Sequence, residues 1–167
     1  INDGLFSIGA FYYDIDNHII FNNLSGTYRQ FDARIYGIEL TGLKKINNFN
    51  IDGSITLLKA RDDSGKLPDK DVEYRPKVQA NAGVTYSNNG YKFVLNNKYI
   101  GKQTYYEYRR TYFVAGTNPQ TGKLSDYVLT DIKLEKNFMQ YHTVFLNVQN
   151  LFDKDYFDML YMPGIGR

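Results

Sequence analysis

Four places in this sequence hold side chains that could do chemistry, and each has a structural reading beside the functional one. The two histidines, His18 and His142, lie far apart and neither falls in a metal-ligand spacing, so both read as structural or surface groups. The stretch ARDDSGKLPDKD (residues 60–71) clusters four Asp but lacks the ligand spacing and closing Glu of a calcium loop. It reads as a solvated loop whose charges repel, with a weak divalent-ion site as the rival. The stretch KQTYYEYRRTYF (residues 102–113) interleaves Arg and Tyr. Its Tyr105, Tyr106, Tyr108, Arg109, Arg110 and Tyr112 are the candidate ligand site, able to hold an anionic, aromatic-bearing ligand by charge and stacking. The competing reading makes them the interfacial end of a strand and the packing of a loop. Glu39 in YGIEL and Asp131 in YVLTDIKLE, with Lys133 close by, read as structural ion pairing. No Ser and His arrangement suggests a hydrolase. No catalytic residue, metal site or cofactor is expected.

What positions these residues follows from patterning. From residue 76 to 87, Pro76, Val78, Ala80, Ala82, Val84 and Tyr86 fall on one face and Lys77, Gln79, Asn81, Gly83, Thr85 and Ser87 on the other. Such alternation marks a strand with one apolar side. The same rule holds over residues 50–60, from Val128 onward and from Thr143 onward, and more noisily over about 5–21, 33–45 and 91–103. No stretch sustains a helical period, so seven strands and no helix are expected.

The connections alternate in length. Short turns fall at Asn47 with Asn48, at residues 87–90 and around 137–141, whereas longer polar linkers fall at about 22–31, 61–73 and 104–125. That alternation predicts an all-β, antiparallel up-and-down transmembrane barrel, with short turns on one rim and long loops on the other. No window reaches the roughly 18 apolar residues of a membrane helix. A strand needs only every second residue apolar, and 16 Tyr and 11 Phe supply interfacial aromatics. Lys and Arg number 20 against 18 Asp and Glu, a net charge of +2 that gives no reason to expect a nucleic-acid partner. The absence of Cys excludes a disulfide framework.

Several phrases, taken in order, resemble the C-terminal barrel of TonB-dependent outer-membrane receptors. They are FYYDIDNHIIF (residues 11–21), ARIYGIELTG (33–42), the strand, loop and strand over 50–87, NNKYIGKQTY (96–105), NVQNLFDKDYF (147–157) and YMPGIGR (161–167). The fifth is the most specific, since in that family the phrase closes the penultimate strand on the extracellular side. In this reading Val148 is the last lipid-facing residue, Gln149 and Asn150 face the wet side and the rim, and Asp153, Lys154 and Asp155 stand in the extracellular layer. Tyr156 and Phe157 are rim aromatics.

The resemblance implies that residues 1–167 are a C-terminal segment of a receptor barrel domain of about 22 strands. An N-terminal plug and a final strand would lie outside the chain, which opens on Ile1 and closes on Arg167 as though cut. It further implies a Gram-negative outer membrane, contact with its lipid and lipopolysaccharide, and TonB engaged through the plug. The ligand implied is scarce: a ferric siderophore first, with cobalamin, haem or a glycan as other members' ligands. Seven strands cannot close, so the segment alone is expected neither to insert nor to transport. The alternatives are a small outer-membrane barrel with a structural or adhesive role and a soluble ligand-binding β-barrel.

Overall fold

The structure, a computed structural model, describes residues 4–22, 26–65, 70–107, 120–138 and 142–167. Among these residues there are eleven strands and no helix. They are β1 (Gly4–Asn22), β2 (Thr27–Ile46), β3 (Phe49–Asp62), β4 (Val78–Asn88), β5 (Tyr91–Ile100), β6 (Gln103–Glu107), β7 (Gln120–Leu124), β8 (Tyr127–Phe138), β9 (His142–Val148), β10 (Phe157–Met159) and β11 (Met162–Pro163). Seven form one antiparallel sheet in the order β1-β2-β3-β4-β5-β8-β9, while β6 with β7 and β10 with β11 make separate hairpins. The seven-stranded meander is the one the alternation predicts.

Directly paired residues share a face, so register shows which side chains line up. One row runs Ile8, Leu40, Ile55, Ala80, Tyr99 and Val128, and a second runs Lys44, Ile51, Val84, Leu95, Ile132 and Val148. The opposite face carries Ser7, Thr41, Ser54, Asn81 and Lys98 in one row. There Ser7 and Thr41 hydroxyls meet at 2.5 Å, and Asn81 Nδ2 donates to Ser54 Oγ at 3.3 Å. Glu39 and Asp131 both fall on this polar face, paired with Gly9 and Asn96. The expected partner is different: Lys133 reaches Glu135 at 2.5 Å, and Asp131 Oδ1 accepts from the Asn150 N–H at 2.8 Å.

Aromatic pairs bound the apolar face at both ends, Phe49 with Tyr86 at 4.9 Å near the short turns and Tyr12 with Tyr36 at 6.3 Å toward the long loops. On β2 this face runs from Ile46 to Tyr36, ten residue steps. That is about 33 Å along the strand, or about 25 Å along the membrane normal at a tilt of about 40°. The height matches the apolar band of an outer-membrane barrel.

The short turns are tight. Ile46 pairs Phe49 across Asn47 and Asn48, and Asn88 pairs Tyr91 across Asn89 and Gly90. Both Asn89 and Gly90 have positive φ, 47° and 77°, the geometry that matches the twist of two flanking strands. The third turn, residues 139–141, lies outside the described residues.

Two of the expected linkers prove to be partly strand. β1 and β2 stay paired up to Asn22 with Thr27, so most of the stretch 22–31 is a continuation of the hairpin. It extends beyond β3, whose last pair is Ala33 with Asp62. Parity missed it because at this end of β2 the apolar residues change face, Phe31 turning inward while Gln30 and Asp32 turn outward; on β1 a bulge between Ile15 and His18, with Asn17 at φ 59°, adds one residue. Before the bulge Ile15 shares the polar face with Ala33; after it His18 and Ile20 do, paired with Phe31 and Arg29. The stretch 104–125 likewise contains most of the β6–β7 hairpin.

Above the band the inner face becomes apolar. Phe31, Ala33 and Ala60 are buried there under Val72 of the β3–β4 loop, with Ile15, Ile20 and Ile35 packed alongside. This loop covers the face that is polar within the band. An apolar side turned to lipid and a loop-covered side turned inward are what a barrel wall requires.

Candidate ligand-binding site

The loops over the inner face form one cluster. Residues 70–74 are strapped to it: the Asp62 N–H donates to Lys70 O at 2.8 Å, Val72 N–H to Ala60 O at 3.1 Å and Tyr74 N–H to Thr104 O at 3.0 Å. The side chain of Asp71 takes Lys77 Nζ at 2.9 Å and the Thr104 hydroxyl at 3.3 Å, while its carbonyl accepts the Tyr106 hydroxyl at 2.9 Å. Val72 is 2% exposed. Burying such a side chain contributes about 1.5–3 kcal/mol.

At the centre stands Arg29. Its Nη1 lies 2.5 Å from Asp62 Oδ2, its guanidinium carbon is 4.1 Å above the Phe31 ring, and its Nη2 is 4.0 Å from Glu73 Oε1. Asp62 is fully buried. Burial pushes the Glu73 carboxyl above its ordinary range, against the lowering influence of Arg29.

Two cavities open in the cluster. One, of about 300 Å³, is lined by Ile20, Phe21, Glu73, Tyr74, Arg75 and Tyr106, and closed by Met159 to Met162 at the β10–β11 turn. The other, of about 470 Å³, lies between Tyr105, Lys123, Tyr127, Lys154 and Tyr156. Of the sequence candidates, Tyr106 meets the first cavity and Tyr105 the second; Tyr108, Arg109, Arg110 and Tyr112 lie outside the described residues. Both described tyrosines also carry structure. Tyr106 is 1% exposed, and Tyr105 lies over its cross-strand partner Gly122, where no Cβ would fit.

The strand ending at Val148 needs a correction. Asn150 does not face the wet rim: it is 4% exposed, at φ 48°, and ties its turn together. Its Oδ1 accepts from the Lys154 N–H at 2.8 Å, and its Nδ2 donates to Lys154 O at 3.0 Å and Ile165 O at 3.3 Å. The buried position is set by the β9–β10 connection folding inward over Tyr127, whose ring is 4.5 Å from that of Tyr156 and whose hydroxyl donates to Asp158 Oδ1 at 2.6 Å. An Asn three residues before an Asp, at a strand end, was the sequence signal for such a turn. His18 packs edge-on against Phe31 at 5.1 Å, and among the described residues no group of three or more His, Asp or Glu could hold a metal ion.

A sheet with a lipid-height apolar face, a polar inner face and a cluster of inward-folded loops defines a segment of an outer-membrane-type β-barrel. The model of the TonB-dependent receptor-like β-barrel matches residues 1–151, and the chain belongs to that family. Among solved structures it is similar to the ferric-catecholate import receptor Fiu of E. coli K12, with 25% identity, a TM-score of 0.72, and 98% of this chain matched to 24% of that one. The ferripyoverdine receptor of Pseudomonas aeruginosa gives 19% identity and 0.75, over 98% and 24% of the two chains. The FrpB iron transporter of Neisseria meningitidis gives 14% and 0.72, over 98% and 27%. The latter two likenesses concern the fold alone. The chain spans about a quarter of the length of each of these structures. No curated protein sequence matches it.

Proposed function

We propose that the chain is a C-terminal segment, over residues 1–167, of the barrel domain of an outer-membrane receptor that imports a ferric siderophore with energy delivered by TonB. The observation that carries this reading is the family match over residues 1–151, on a sheet whose long loops fold over the inner face. The 25% identity to a ferric-catecholate import receptor favours an iron-loaded ligand. The rest of the barrel closes both sheet edges, and a plug within it makes contact with TonB. Tyr105, Tyr106, Tyr108, Arg109, Arg110 and Tyr112 contribute to the ligand-contacting loops, and lipid and lipopolysaccharide surround the outer face. The chain performs no catalytic step.

The test is uptake of radioiron presented as a ferric siderophore, in an iron-starved strain carrying or lacking the complete receptor. The expected result is import that needs both the receptor and a functional TonB. Import of every siderophore offered at the same rate without the receptor would overturn the reading.

A further inference from the structure

Arg29 makes incomplete use of its donors. A guanidinium presents a flat edge, Nε with Nη2, that fits two oxygens of one oxyanion side by side. Here Nη1 is engaged by Asp62, but Nε and Nη2 are buried with no hydrogen-bond partner. Glu73 stands 4.0 Å from Nη2, too far for a hydrogen bond. His18 Nε2, on the other aromatic contact of Phe31, is also buried and unpartnered. Buried donors left open in this way are unusual and mark a place where a group from elsewhere completes the network.

Resting on the uptake reading above, we propose that the open Nε–Nη2 edge of Arg29 is a subsite for a bidentate oxyanion on the ligand, a carboxylate or a group of the same shape and charge. The 300 Å³ cavity borders this edge: Arg29 does not line it, but Ile20, the cross-strand partner of Arg29, and Glu73, whose Oε1 stands 4.0 Å from Nη2, both do. Phe31 holds the guanidinium plane from one side, and Asp62 fixes its far end. The fork is therefore preset before any ligand arrives. Glu73 is the competitor within the protein: ionised, it repels an arriving anion, and neutral, it can donate to one. Burial raises its pKa, against the lowering influence of Arg29.

The test titrates the complete receptor in detergent with inorganic phosphate near neutral pH, followed by phosphorus NMR line width. Saturable binding is expected, weakened about tenfold or more in Arg29→Gln and tightened about threefold to tenfold in Glu73→Gln, which removes the competing charge. Absence of saturable binding, or wild-type affinity in either variant, overturns the subsite. If Arg29→Gln does not fold, the gain in Glu73→Gln decides, because a damaged protein does not bind more tightly. A receptor that binds phosphate in this way yet imports no ferric siderophore would sink the uptake reading and leave the subsite standing; import without the phosphate response does the reverse.

Discussion

Between the Phe49–Tyr86 and Tyr12–Tyr36 pairs, the chain obeys one rule, apolar outward and polar inward, and tolerates any residue of the right class. Rows such as Ile8, Leu40, Ile55 and Ala80 contain no side chain with a unique partner. Above that band the rule reverses. Phe31, Ala33 and Ala60 turn inward under Val72, and particular residues matter: Arg29 for Asp62, Asp71 for Lys77 and Thr104, Asn150 for its own turn. The contrast reflects the solvent. Lipid selects a class of side chain on one face, whereas a loop cluster between water and lumen must satisfy each buried polar group individually.

Breaking the rule of the band has the largest effect. Ile55 sits near mid-height on the apolar face, and Ile55→Lys in the complete barrel is expected to cost about 2–4 kcal/mol, read as denaturant unfolding in lipid vesicles. Its neighbour Thr56 is on the polar face, so Thr56→Lys is expected to change the same measurement by less than about 0.5 kcal/mol. Equal effects at the two positions would mean that the faces are assigned wrongly.

Next comes the lock at Asn150. Asn150→Ala removes three side-chain hydrogen bonds and puts a Cβ-bearing residue without an amide at positive φ. The expected cost is about 2–3 kcal/mol, seen as a lowered unfolding temperature of the complete receptor in detergent. Asn150→Gly keeps the backbone freedom and recovers about 1 kcal/mol of it. Val72→Ala is smaller again. Removing two buried methyl groups costs about 1.5–2 kcal/mol, confined to the strap. Faster amide exchange at residues 70–74, with no change in β3 and β4, is the expected sign.

The smallest effect is a pH slope. Burial holds the folded-state pKa of Glu73 above that of the unfolded strap, so the folded strap binds this proton more tightly. Its stabilisation is complete below the ordinary glutamate range and is lost as the pH rises through the raised folded value. Amide protection at residues 70–74 should therefore decline with rising pH, and Glu73→Gln should flatten the decline. A slope that survives the substitution would assign it to another group.

The band was legible in the sequence for the same reason that it is tolerant: parity alone encodes it. All seven long strands and both faces follow from alternation, as at Val78, Ala80 and Ala82 against Gln79 and Asn81. The cluster was not legible, because its pairs join distant segments. Tyr105 over Gly122 and Arg29 on Asp62 leave no local pattern. Arg29 itself fell in a stretch read as a linker, since above the band β2 turns Phe31 and Ala33 inward and Gln30 and Asp32 outward, the reverse of the pattern that marks the strand below. The candidate tyrosines were found by composition, and the structure adds that Tyr105 and Tyr106 hold the loops as well as face the cavities.

The bulge at Asn17 also sets a counting rule for how this hairpin can change length. One residue added to one strand below the tip exchanges the outward and inward sets of everything beyond it on that strand. Ile20 would trade places with Ile19, and the cavity would lose a wall. Two residues added together leave the phase intact and only lengthen the arm. Insertions of even length therefore keep each side chain on its face and slide it along the arm, whereas odd ones exchange the two faces.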